Sequence, residues 1–142
     1  MPAAFSGDVV ELFTELAAIP SPPGEEREVA DRVIAYLRDL GLEVDEDEAG
    51  AEVGSNMGNL YCRLAPTNGD AGTPLFFCAH LDTVPPEGSI EPVVEDGVVR
   101  NSAGTILGAD NKAAVAAMLE GARAVLSEQR PHAGIELLFT PK

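Results

Sequence analysis

The chain has 142 residues, 45% of them hydrophobic and 23% charged, which is the balance of a globular domain with apolar matter for one core. Nine basic residues against 24 acidic ones leave a net charge of −15, which repels phosphate backbones and anionic headgroups and so excludes nucleic acid and membrane surfaces as natural partners. Cys62 and Cys78 are too few for a disulfide framework or a zinc knuckle, and no apolar run nears the ~18 residues of a membrane span, so a cytoplasmic protein is expected.

In chain order, the first predicted element is a helix from Asp8 to Ala18. Val9, Leu12, Phe13 and Leu16 recur there at three- and four-residue spacing, and Asp8 with Glu11 forms a capping pair. The prolines of IPSPPG (Pro20, Pro22 and Pro23) end it. A second helix is predicted from Glu25 to Leu40, with Val29, Val33, Leu37 and Leu40 on one face and Gly41 as its stop. Glu25 and Glu26 suit its positive end.

The period then changes. LEVDEDEA (42–49) opens with the alternation of an exposed or edge strand. Asn59 to Leu64 and Leu75 to Ala79 are short apolar strands, and the second lacks alternation, as a strand covered on both faces does. VVEDGVVR (93–100) reads as a hairpin that turns at Asp96-Gly97. The glycine-bearing loop NSAGTILGAD leads into a third helix from Asn111 to Ser127, and GIELLFTPK (134–142) is a last apolar strand. The interleaving predicts an α/β fold: a mixed, mostly parallel central sheet with helices on both faces.

In such sheets ligands collect beyond the carboxyl ends of the strands. The strand LFFCA delivers His80 and Asp82 to that edge, and side chains two apart in extended backbone point the same way. Three readings are open for this pair: a metal ligand with a carboxylate that orients it, an acid/base pair, or a polar loop. Two are open for Asp110, an N-cap and a carboxylate that bridges two metal ions. Lys112 reads as an exposed helix residue and His132 as a surface one. Ser55, Ser89 and Ser102 lack a Gly-x-Ser-x-Gly elbow, and Gly104 and Gly108 make no phosphate loop.

Taken in order, IPSPPGEE (19–26), FFCAHLDTVP (76–85), TILGADNKAAVAAMLE (105–120) and IELLFTPK (135–142) resemble the catalytic domain of the co-catalytic zinc exopeptidases. That family includes peptidase T, carboxypeptidase G, succinyl-diaminopimelate desuccinylase and aminoacylase. TILGADNKA and PHAGIELLFT are most similar to the peptidase T branch. The resemblance implies a zinc-exopeptidase-like catalytic domain with two zinc ions. It implies His80 as a ligand of one ion, Asp110 as the carboxylate bridging both, and Asp82 as the catalytic-site residue that orients His80. It also implies a cis peptide between Asp110 and Asn111.

In the family, the strand matching IELLFTPK is followed by two glutamates, a general base and a further ligand, and an inserted domain covers the cleft and joins two subunits into a homodimer. The expectation is therefore that residues 1–142 are the amino-terminal part of one catalytic domain, inactive alone. The expected activity of the whole is zinc-dependent hydrolysis of short peptides. Deacylation of N-acyl amino acids and a non-enzymatic truncated module are the competing expectations.

Overall fold

The computed structural model describes residues 9–67 and 72–142; Asp8, and with it the expected capping pair, lies outside them. Helix α1 spans Val9–Ala18 and α2 Arg27–Asp39, each burying the stripe its periodicity marks: Leu12 and Leu16 in α1, Val29, Val33 and Leu37 in α2. Between them, Pro22 to Glu25 forms a turn closed by the Glu25 N–H to the Pro22 carbonyl at 2.9 Å. Gly24 takes φ +96° there, a conformation L side chains resist. The first turn of α2 is capped from a distance, because the Asn56 Oδ1 accepts the Arg27 N–H at 2.8 Å.

Strand β1 is Val44–Glu46, followed by a one-turn helix α3, Ala49–Val53, in a region read as strand at its start. That helix ends on Gly54 in the left-handed region. Strands β2 (Leu60–Leu64) and β3 (Leu75–His80) fall where the apolar runs do. Strands β4 (Pro92–Glu95) and β5 (Val98–Asn101) form the expected hairpin, with Asp96 and Gly97 both at positive φ. Helix α4 runs Ala109–Ser127 and strand β6 Ile135–Thr140.

The central sheet has the order β1-β2-β6-β3. It is mixed, as expected, but differs in three ways from the predicted arrangement. Only β3 and β6 pair in parallel, while β1/β2 and β2/β6 are antiparallel. The one-turn α3 is too short to lie along the sheet as a parallel crossover helix would. The hairpin β4–β5 stands apart as its own two-stranded sheet, so the antiparallel character comes from β1, β2 and β6. And among the described residues the helices cover one face of the sheet.

The register explains that last point. Leu60, Cys62 and Leu64 of β2 lie opposite Phe139, Leu137 and Ile135 of β6, and all six are buried with α1, α2 and α4 in one core. The other face carries Tyr61, Arg63 and Glu136, with the Tyr61 hydroxyl donating to Glu136 at 2.6 Å. β3 is an edge strand, and Leu75, Phe76 and Phe77 are 55%, 58% and 45% exposed rather than covered on both faces. Both cysteines are free thiols; burial pushes Cys62 up to about 11, whereas Cys78 is exposed. Among the described residues no helix is long and apolar enough to cross a membrane.

Candidate functional site

β3 and β6 run side by side to their carboxyl ends, where His80 pairs with Thr140 and the Leu81 N–H continues the ladder to the Thr140 carbonyl at 2.9 Å. His80 is the last residue of the strand, so its ring projects at the sheet edge. Its Nδ1 sits 2.9 Å from the Asp82 carbonyl and 3.0 Å from Asp82 Oδ1. Both neighbours are acceptors, so Nδ1 carries the proton and donates to them. Burial alone would lower the His80 pKa, but Asp82 and Asp110 more than offset it and hold it above the ordinary value.

The other nitrogen, Nε2, faces Asp110 Oδ1 at 3.2 Å. Asp110 is not a cap. The N-cap position of α4 is Gly108, no side chain caps it, and Asp110 and Asn111 interrupt the first turn with non-helical backbone angles. The Asp110–Asn111 peptide is cis, as the resemblance implies. His80, Asp82 and Asp110 are therefore brought together from two segments thirty residues apart in sequence. Their side chains are 39%, 20% and 94% exposed, so the orienting carboxylate is the sheltered one and the outer carboxylate stands in solvent.

With Nδ1 protonated, a neutral imidazole presents a lone pair at Nε2 to the lone pairs of a carboxylate. Two acceptors 3.2 Å apart repel unless a proton or a cation sits between them. Two ligand atoms ~2.0–2.1 Å from a tetrahedral ion lie about 3.3 Å apart, so the spacing fits the edge of a zinc site. The residues present thus fit a metal ion, as two of its ligands. Among the described residues no group of three or more His, Cys, Asp or Glu side chains could hold one. A cleft of about 450 Å³ opens beside the pair, with Val84, Ile106 and Leu107 on its apolar side.

Three polar residues around this edge are more deeply buried than their residue types suggest. Ser21, Glu26 and Lys112 are all fully buried. Lys112 is the correction among them: it is no exposed helix residue, and burial pushes its pKa down to about 8. The signal was present, because positions 112, 115, 116 and 119 form one helical stripe and Val115, Ala116 and Leu119 are buried on it. Its Nζ donates to the Ile19 carbonyl. Ser21 Oγ donates to the Leu81 carbonyl at 2.8 Å, and Glu26 accepts from Gly24, Ser55 and Lys142. His132 is partly buried, its Nδ1 accepting the Gly134 N–H at 3.2 Å.

The model of peptidase family M28 matches residues 59–141, which takes in β2, β3, the hairpin, α4 and β6. The chain is 38% identical over 132 residues to the Bacillus subtilis protein YqjE, covering 93% of this chain and 35% of that one. The crystal structure of aminopeptidase PepT from Bacillus cereus superposes with a TM-score of 0.88 at 37% identity, over 95% of this chain and 36% of that one. A tripeptidase from Staphylococcus aureus gives 0.87 at 34% identity, again over 95% and 36%. The chain therefore spans about a third of the length of the relatives it matches.

Proposed function

The chain belongs to peptidase family M28, among the co-catalytic zinc exopeptidases, and from that premise we propose that it supplies the His80–Asp110 part of a centre that hydrolyses short peptides. The single observation that carries this reading is the pair of facing acceptors, His80 Nε2 and Asp110 Oδ1, 3.2 Å apart at the carboxyl edge of the sheet. His80 and Asp110 would hold zinc, which when bound supplies a Lewis acid for the peptide carbonyl and the attacking water. Asp110, almost wholly exposed, leaves room at its carboxylate for a second ion. Asp82 keeps the proton on Nδ1 and so keeps Nε2 available as a ligand.

The apolar side of the cleft, Val84 with Ile106 and Leu107, would receive a side chain of the bound peptide. Among the described residues nothing in the cleft besides Asp82 and Asp110 carries a carboxylate, so the further ligands and the general base would come from elsewhere in the protein. Free thiols and a strongly acidic surface suit a cytoplasmic enzyme.

The test is made on the whole gene product. It is expected to hydrolyse tripeptides, to lose that activity on dialysis against a chelator, and to recover it with zinc. Turnover of N-acyl amino acids in place of tripeptides would instead favour the deacylase reading, and activity indifferent to chelation would overturn both.

A further inference from the structure

His80 and Asp110 sit on separate segments, and nothing on either one alone sets the distance between them. The stretch Ile19-Pro20-Ser21, between α1 and α2, touches both. Ser21 Oγ donates to the Leu81 carbonyl at 2.8 Å, and the Ser21 carbonyl accepts the Thr83 N–H at 2.9 Å. These two bonds grip the backbone on either side of Asp82, two residues beyond His80. From the other segment, Lys112 donates Nζ to the Ile19 carbonyl, two residues beyond Asp110. Pro20 joins the two contacts with a fixed φ and no N–H of its own.

Both side chains are fully buried, and neither lines the cleft. An ammonium group buried against one carbonyl is a costly way to fill space, because desolvation outweighs that hydrogen bond and the attraction of Glu28 together. What it does accomplish is a link between the ligand-bearing helix and the loop that holds the ligand-bearing strand. We propose that Ser21 and Lys112 are positioning residues, which make residues 19–21 a bracket that holds His80 Nε2 and Asp110 at the separation of two ligands of one metal ion. The inference rests on the metal-site reading above.

The experiment uses Co²⁺ as a probe with the whole gene product and the variants Ser21→Ala, Lys112→Met and the two combined. Methionine keeps most of the length of the lysine and removes the donor and the charge, so little cavity is opened. Affinity and the visible d–d spectrum are read at a temperature where melting curves show every variant folded. Each single variant is expected to weaken Co²⁺ binding about tenfold and to alter the spectrum, as loss of outer support for a ligand does. The double variant is expected to bind no worse than the weaker single one, because either change opens the same bracket.

Unchanged affinity and spectrum in the folded variants, or losses that multiply in the double variant, would overturn the bracket. His80→Ala is measured alongside: Co²⁺ binding that survives that change overturns the metal site itself, and the bracket with it.

Discussion

Replacing His80 by alanine is expected to abolish zinc-dependent peptide hydrolysis by the gene product, with kcat/KM lower by roughly a thousandfold or more. The figure follows from the several kcal/mol that a metal contributes to charge stabilisation in the transition state, at about 1.4 kcal/mol per factor of ten. His80 lies on the partly exposed edge and outside the main core, so the melting temperature should change little. Asp82→Asn is the graded companion. It removes the carboxylate, but the Asp82 carbonyl still holds Nδ1 at 2.9 Å, so the imidazole keeps its tautomer. The expected loss of metal affinity is therefore about tenfold, the lower end for a residue that supports a ligand. Wild-type activity in His80→Ala, assayed with and without zinc, would sink the assignment.

The largest expected effect on stability is at Glu26. Its carboxylate is fully buried and accepts the Gly24 N–H at 2.9 Å, the Lys142 N–H at 3.2 Å and the Ser55 hydroxyl at 2.5 Å. It thereby joins the turn before α2, the loop after α3 and the exit of β6. Burial pushes the Glu26 pKa up, but the hydrogen bonds from Ser55, Gly24 and Lys142 outweigh it and leave the carboxyl below its ordinary value. Glu26→Ala removes the acceptor of three partly buried donors, at a cost of about 3 kcal/mol. For a domain of this size that is a fall in melting temperature of roughly 10 °C.

The pH dependence gives a second check on the same residue. A carboxyl whose folded pKa is depressed contributes stability that is present above its unfolded value, near 4.5, and is lost as pH falls through the folded value. The stability gap between parent and Glu26→Gln is thus expected to narrow as the pH falls below about 4.5. A gap that stays constant or widens on acidification, followed by denaturant melts, would show that the carboxylate is not the group that matters.

Much of this architecture was legible from residue order. The helical stripes, the hairpin turn at Asp96-Gly97 and the convergence of His80, Asp82 and Asp110 follow from periodicity, turn chemistry and strand position. The arrangement of strands did not, because pairing partners are set by contacts far apart in sequence. β2 and β6 are antiparallel neighbours separated by the whole of β3, the hairpin and α4. Leu75 to Phe77 misled for a related reason: an unalternating apolar strand reads as buried, yet burial depends on what lies against it, and here β3 is an edge. The buried polar residues were hidden by habit of composition. Ser21 sits in a proline-rich loop that looks solvated, Glu26 at a helix start where a carboxylate is expected to face water, and Lys112 carries a charge that argues for exposure although its helical position places it on the core stripe.

The most direct measurement of the central claim is zinc-edge anomalous diffraction from crystals of the zinc-loaded gene product. A peak is expected ~2.0–2.2 Å from both His80 Nε2 and a carboxylate oxygen of Asp110, with Nδ1 still turned to Asp82. Saturating zinc that binds elsewhere, leaving His80 and Asp110 in contact with each other, would contradict it.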